Sequence, residues 1–486
     1  MRVLMLGWEF PPFIAGGLGV ACFGLTKAID KLGHSVVFTL PKAVDRSHSS
    51  HVRLLSPAST VSQEVAARAL AMQASGLNPV EAAAMAVGLG NAAQVAGAYR
   101  FAHAEFRSVD AAFSHPYPGF DAPAAASLTA AIGAQAAVDP LSSAAIDPAM
   151  PEAERTVVNA SFAAVLPQIG GGSKAGPMYG SDLIGDAERY ARLVVALSRG
   201  EQFDVIHAHD WLTYPAGLAV SRIARKPLVV HVHSTEFDRA GSNVNQAVYD
   251  IERAGMHGAD RVLAVSQLTK TICESRYGVK PERIHVVHNG VDRENTQPDA
   301  STKIESGDKL VLFLGRITMQ KGPEYFIAAA KRVLEKVPHT KFVLAGSGDM
   351  AERMIELAAN LGIGHKVIFT GFLKGGDVQR VFDMADCYVM PSVSEPFGLA
   401  ALEAIHHDVP VILSKQSGAA EVLTHVLKVD FWDIDEMANK IIAVLRHPPL
   451  SQTMREHGEF ELRRLTWDGA AKKCVQAYEE AIAAHA

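Results

Sequence analysis

Apolar runs of four to six residues alternate with helical stretches along most of the chain. Val3 to Gly7 is a continuous apolar run of the kind found in a parallel strand buried on both faces. Trp8 to Ala15 must be a loop, because Pro11 and Pro12 fit neither a helix interior nor a central strand. After Gly16, Gly17 and Gly19 the pattern predicts a helix from Val20 to Leu32, with Leu25, Ile29 and Leu32 on one face and Gly33 as its stop. Ser35 to Leu40 is the next strand. A helix from Asp182 to Ser198 follows later, then strands at Asp204–His209, Leu228–His233, Val262–Ser266 and Ile284–Val287, with a helix at Gln267–Arg276. The second half repeats the rhythm. Strands are predicted at Leu310–Leu314, Lys341–Gly346, Val367–Phe372, Cys387–Met390 and Val409–Leu413. Helices are predicted at Pro323–Val337, Ala351–Leu361, Gly375–Ala385 and Asp433–Leu445. Such alternation predicts α/β architecture with doubly wound parallel sheets.

Two stretches interrupt the pattern. Residues 56–180 are alanine-rich, hold no lysine between Lys42 and Lys174, and are broken by Pro116, Pro118, Pro123, Pro140, Pro148 and Pro151. The expectation is an insertion in the N-terminal domain, part helical and part poorly ordered. The polar run Arg293–Asp308 reads as a linker. The expected division is an N-terminal domain over residues 1–295, a C-terminal domain over 296–465, and a final helix, Trp467 to Ala484, with Ala471, Val475, Tyr478 and Ile482 on one face.

Composition narrows the function classes. A chain of 486 residues needs more than one core. Its formal net charge of -6 gives no electrostatic case for nucleic acid. Cys22, Cys273, Cys387 and Cys474 form no Cys-x-x-Cys pair, which fits a reducing, cytoplasmic compartment and argues against a structural zinc site. The apolar start is short and runs straight into Pro11-Pro12, unlike a signal peptide, and no run of about eighteen apolar residues is present to span a membrane.

The candidate chemistry sits at the ends of predicted strands. Ser394-Glu395-Pro396-Phe397-Gly398-Leu399 follows the strand Cys387–Met390 and opens a helical pattern, with Pro396 in the expected first turn. The N–H groups of Phe397, Gly398 and Leu399 then suit an anion, and Glu403 lies about two turns further on. Two carboxylates beside an anion site make sense if the ligand also carries hydroxyls, as a nucleotide-sugar does; a capping glutamate followed by an exposed one is the plain alternative. Arg316 and Lys321 sit in a strand-to-helix loop, two cationic tips suited to a departing diphosphate. Two His-x-His pairs, His207/His209 and His231/His233, end strands and line the crevice of an open sheet; no acidic or cysteine ligand is spaced to complete a metal site.

Glu395, seven residues and Glu403, with Pro-Phe-Gly-Leu between, resembles the signature of retaining glycosyltransferases of the GT-B fold, which include the glycogen and starch synthases and glycosyltransferase family 4. Pro11-Pro12 through Gly16-Gly17-Leu18-Gly19, the His207-Ala208-His209-Asp210-Trp211 run, Asn289-Gly290-Val291-Asp292, and Ser417-Gly418-Ala419-Ala420-Glu421 resemble further motifs of these enzymes. The resemblance covers residues 1–45 and about 182–486. It implies two Rossmann-like domains facing a cleft, with transfer of a sugar from a nucleotide-diphosphate donor to a glycan or other hydroxyl acceptor, configuration retained and no metal or cofactor required. It implies that Gly16 and Gly17 touch the donor, that Glu395 orients the donor sugar and Glu403 the ribose. It further implies that Arg316 and Lys321 stabilise the leaving diphosphate, that His233 supports the reacting carbon, and that His209 and Asp210 lie on the acceptor side. It also implies a tail that crosses back to the N-terminal domain. Ile14 stands where bacterial glycogen and starch synthases carry a lysine. Glucose transfer from ADP- or UDP-glucose to an α-glucan is the reading; a family 4 transfer to a lipid-linked, small-molecule or polysaccharide acceptor is the alternative.

Overall fold

β1 (Arg2–Leu6) is buried from Val3 to Leu6, so neither of its faces can meet water and it takes a central place in its sheet. This computed structural model describes residues 1–10, 17–41, 183–291, 307–373 and 375–485, and the backbone of residues 104–108. β1 pairs in parallel with β2 (Ser35–Leu40) on one side and β4 (Val205–His209) on the other. β3 (Ala104–Ser108) extends the sheet beyond β2, and β5 (Leu228–Val232), β6 (Arg261–Ala264) and β7 (Ile284–Val286) extend it beyond β4. The second sheet is built the same way around β8 (Lys309–Leu314). β9 (Thr340–Ala345) and β10 (Val367–Gly371) run outward on one side, and β11 (Cys387–Met390), β12 (Val411–Ser414) and β13 (Leu427–Val429) on the other. Every pairing in both sheets is parallel. The chain is therefore two Rossmann-like units.

In each sheet the strand order reverses beside the first strand, between β1 and β4 and between β8 and β11. Ligands of open parallel sheets bind beyond the carboxyl ends of the strands at such a switch point. The polar residues that follow β4, β8 and β11 are thus delivered to the two places where a crevice must open. The helix Gly17–Lys31 follows β1 and covers one face of the first sheet. The helix Leu399–His406 follows β11 in the second.

The last helix, Trp467–His485, lies on the first sheet, against the helix Gly17–Lys31 and against β4, β5 and β6. It buries Trp467, Ala471, Cys474, Tyr478 and Ala481 there. Gly24 makes the close approach possible, because a Cβ at that position would lie 2.2 Å from the Trp467 indole. Among the described residues, no helix is long and apolar enough to cross a membrane.

Several predicted boundaries move by one to three residues at helix ends, where hydrogen-bonded turns fray or tighten; the helix predicted to Val337 stops at Leu334. One expectation changes in kind. Within the stretch read as an insertion, Ala104–Ser108 is the edge strand of the first sheet, paired to β2 from Val36↔Ala104 to Leu40↔Ser108. An edge strand is free to be short and charged, and Ala-Glu-Phe-Arg-Ser lacks the apolar run that marks a central strand. Removing residues 60–170 would delete this strand. The helical stretches expected around it lie outside the described residues.

Candidate functional site

On the second sheet, β8 ends at Leu314 and the chain turns through Arg316 into a short 3-10 turn, Met319–Lys321. Lys321 Nζ lies 2.5 Å from Glu395 Oε2, and Ser392 donates its hydroxyl to the same oxygen at 3.2 Å. Glu395 is only 6% exposed, so its charge is held away from water by a cation and a hydroxyl. Arg316 donates to the Gln320 side-chain carbonyl at 3.1 Å, and Gln320 donates to the Ser394 carbonyl at 3.1 Å. Gln320 thereby ties the cationic turn to the Glu395 loop. A lone glutamine in a loop carries no motif, so nothing in the sequence marks it.

The start of the following helix differs from the expectation. Pro396 lies outside the helix, and the helix runs from Leu399 to His406. Gly398 explains the shift. Its φ of +105° belongs to glycine, and a Cβ there would lie 2.7 Å from the Met390 methyl and 3.3 Å from Glu395 Cγ. The left-handed residue ends the extended loop and delays the first helical turn. The helix N-terminus is therefore at Leu399, and Phe397 is buried before it. Glu403 is on this helix, half-buried, and burial raises its carboxyl above the ordinary range, with His407 opposing the shift. Among the described residues no group hydrogen-bonds its carboxylate.

On the first sheet, Gly17 opens the helix after β1, and a Cβ placed on it would come 3.6 Å from Leu399 Cδ1 of the other domain. Gly16 lies outside the described residues. β4 ends at His209 and β5 at Val232, so His209, Asp210 and His233 emerge side by side. His209 Nδ1 and His233 Nε2 are 2.9 Å apart. Asp210 has a left-handed φ of +57°, which an aspartate tolerates better than most residues. That turn aims its carboxylate at the next strand's end, where it accepts from the His233 N–H at 2.7 Å and the Ser234 N–H at 3.3 Å. Burial pushes its carboxyl up to about 7, against the opposing pull of Arg239 and the His233 N–H. Burial likewise pushes His233 down to about 3, so it is neutral at pH 7.

Two further links join the domains across the cleft. Ser394, next to Glu395, donates to Asp238 at 2.5 Å, and Asp238 with Thr235 forms the capping box of the short helix Glu236–Ala240. Glu421, in the short helix Ala419–Val422 after β12, accepts from the Gln267 and Leu268 N–H groups at 2.8 and 2.6 Å, capping the helix Gln267–Tyr277 of the other domain. His288 lies 3.4 Å from the same carboxylate. Partners 154 residues apart cannot be paired from one sequence.

Of the selected residues, Arg316, Lys321, Glu395, Phe397, Gly398, Leu399 and Glu403 gather at the carboxyl edge of the second sheet. His209, Asp210, His233 and Gly17 gather at that edge of the first. His207, His209 and His231 also each bring one ring nitrogen to within 4.8 Å of the others. Their rings are stacked, with planes inclined by 21° to 27°, so the in-plane lone pairs run side by side instead of converging on an ion. Both nitrogens of His207 already have partners, Tyr478 and His231.

Three family models match successive parts of the chain. Residues 2–125 match a starch synthase catalytic domain, residues 162–295 Glycosyltransferase Family 4, and residues 295–459 Glycosyl transferases group 1. An uncharacterized glycosyltransferase of Methanocaldococcus jannaschii is 32% identical over 300 residues, 58% of this chain and 76% of that protein. A glycogen synthase of Mycobacterium tuberculosis is 28% identical, covering 57% of this chain and 68% of that one. Among solved structures, a sucrose-phosphate synthase from Thermosynechococcus elongatus superposes with a TM-score of 0.63 at 17% identity, covering 99% of both chains. The Anabaena protein HepE, in complex with UDP and glucose, superposes with a TM-score of 0.58 at 16% identity over 98% of each.

Proposed function

Because the chain belongs to the GT-B glycosyltransferases of family 4 type, we propose that it moves glucose from ADP- or UDP-glucose to an α-glucan with retention of configuration. The observation that carries the proposal is the Lys321–Glu395 pair beside Arg316, set at the switch point of the second sheet. In such a pair the carboxylate suits a sugar hydroxyl, and the lysine, with Arg316, suits a leaving diphosphate. The helix from Leu399 adds its N-terminal dipole to the same place. Glu403, without a partner of its own among the described residues, is the group for the ribose hydroxyls. Across the cleft His233 faces the reacting carbon, Gly16 and Gly17 approach the donor, and His209 and Asp210 serve the acceptor side. The departing phosphate helps to deprotonate the acceptor hydroxyl on the same face. The glycogen synthase relative supports the glucan acceptor. Ile14, where glucan synthases of bacteria carry lysine, favours the second reading: a family 4 transfer to a lipid-linked, small-molecule or polysaccharide acceptor. Release of nucleotide diphosphate from ADP-glucose and UDP-glucose, with glycogen or with small acceptors, separates the two.

Two expected results follow from this reading. Glu403→Ala should weaken binding of donor and of free nucleotide diphosphate alike, by roughly tenfold, the effect of losing one charged hydrogen bond. Calorimetric titration with free UDP and ADP measures it; unchanged affinity for both removes Glu403 from the nucleotide site. Because built-in cations face the diphosphate, EDTA should leave the rate of transfer unchanged. A loss restored by Mg²⁺ or Mn²⁺ would show that Arg316 and Lys321 do not suffice.

A further inference from the structure

The helix Glu236–Ala240 of the first domain begins just after His233 and reaches the donor-side loops of the second. Its own domain holds it firmly. Arg239 pairs with Glu236 at 3.2 Å and with Glu252 at 2.5 Å, and all three residues are buried. Glu252 also accepts from the Glu236 N–H at 3.0 Å and from the Tyr277 hydroxyl. Glu236 accepts from the Asn245 N–H at 3.0 Å. The helix therefore cannot shift without stranding a buried charge.

This helix meets the other domain at two points. Gly241, which ends it, lies against Met319 of the turn that carries Lys321; a Cβ at Gly241 would come 3.8 Å from the Met319 methyl. Asp238 makes the second contact and divides its two oxygens between the domains. Oδ2 accepts from the Thr235 N–H and hydroxyl, each at 2.7 Å. Oδ1 accepts from the Ser394 hydroxyl at 2.5 Å. Asp238 is 2% exposed, so water is a poor substitute for Ser394.

A continuous series of bonds thus joins the two halves of the site. His233 and Ser234 donate their N–H groups to Asp210, Thr235 donates to Asp238, and Asp238 holds Ser394. Ser394 immediately precedes Glu395. Its carbonyl accepts from Gln320, whose side-chain carbonyl receives Arg316. The Glu395 N–H donates to the Gln416 carbonyl at 2.9 Å, and the Glu395 carbonyl accepts from the Gly418 N–H at 2.9 Å. The Ser394 hydroxyl ties this loop to the segment that carries His233. Thr269, 3.5 Å from the Pro396 carbonyl, ties it to the helix Gln267–Tyr277 instead.

We propose that Asp238 and Ser394 are positioning residues for sugar transfer. Their hydrogen bond sets the spacing between His233 in one domain and the Glu395–Lys321 pair in the other. The catalytic consequence rests on the roles proposed above for His233 and Glu395; the contact itself does not. Groups that act together from separate domains need a fixed spacing, because a misplacement of about 1 Å can cost about a hundredfold in rate.

Ser394→Ala removes the hydroxyl and leaves the capping box whole. It should lower kcat by about tenfold, with affinity for free UDP and ADP changed less than about twofold. A merely structural role would lower the melting midpoint and leave kcat alone. Asp238→Ala removes the same bond and the cap besides, so adding Ser394→Ala to it should lower kcat no further. Rates are read as nucleotide diphosphate released from ADP-glucose and UDP-glucose, with glycogen or with small acceptors. Unchanged kcat in Ser394→Ala overturns the proposal. So does a raised kcat, which would make the bond a brake on turnover, and so do losses that multiply in the double variant. Melting midpoints of the same four proteins form a second cycle that needs no activity. Their shifts should be less than additive; additive shifts overturn the contact. Less-than-additive shifts in a protein that releases no nucleotide diphosphate would overturn the transfer reading, and the positioning role with it, but not the contact. Should Asp238→Ala fail to fold, Ser394→Ala decides alone, by kcat and nucleotide affinity.

Discussion

Lys321→Ala is expected to lower kcat by on the order of a hundredfold or more while raising donor KM far less. The lysine would face a diphosphate whose charge grows as the glycosidic bond breaks. A group aimed at developing charge acts on the transition state more than on the bound donor. Its ammonium also sits 2.5 Å from Glu395, so the substitution removes the cation that balances a carboxylate 6% exposed. Breaking such a pair from one side costs stability, on the order of 1–3 kcal/mol here, because the remaining charge stays buried. The two effects separate experimentally. Glu395→Gln in the Lys321→Ala background removes the stranded charge and should recover the melting midpoint, but not kcat. Steady-state kinetics and thermal melts of the single and double variants check both halves. A Lys321→Ala enzyme with wild-type kcat would exclude this turn from the donor site.

Asp210→Ala should cost about a hundredfold in kcat and about 1–3 kcal/mol of stability. It leaves the N–H groups of His233 and Ser234 without the carboxylate that now receives them, and it puts alanine at a φ of +57°. Asp210→Asn keeps an acceptor oxygen and a residue tolerant of that backbone, so most of the loss should be restored. The pH dependence gives a second readout. Burial raises the folded-state carboxyl from 3.8 to about 7, so the folded protein holds this proton more tightly than the unfolded chain. The stability it contributes is full below about pH 4 and is lost as the pH rises through about 7. Asp210→Asn removes that slope. Melts across this range should show the wild-type midpoint falling relative to the Asn variant; parallel curves would contradict the carboxyl assignment.

The parallel strands were legible because burial on both faces writes a continuous apolar run, as at β1, β8 and β11. Once those runs are ordered, the switch points follow, and so does the placing of Arg316, Lys321, Glu395, His209 and Asp210 at the strand ends. β3 was not legible, since an edge strand need not be apolar, and neither was β13, which has three residues. The helix start at Leu399 was misplaced by a proline rule that holds for first turns. Gly398, packed against Met390 and Glu395, pushes the turn past Pro396. The contacts that join distant elements left no local signal. Tyr478 and His207 are 271 residues apart, and a tyrosine on an amphipathic helix reads as core until its hydroxyl partner is known. Asp238 and Ser394 are hidden in the same way, as a cap and a loop serine 156 residues apart.

The reaction proposed for the cleft between the two sheets is retaining transfer of glucose from a nucleotide donor. Time-resolved ¹H NMR of ADP-glucose and UDP-glucose with a maltooligosaccharide acceptor tests it most directly. One donor should be consumed, free nucleotide diphosphate and a new α-configured anomeric proton should appear at equal rates, and Lys321→Ala should slow both by on the order of a hundredfold or more. A β-configured product, or transfer that proceeds undiminished in Lys321→Ala, would contradict it.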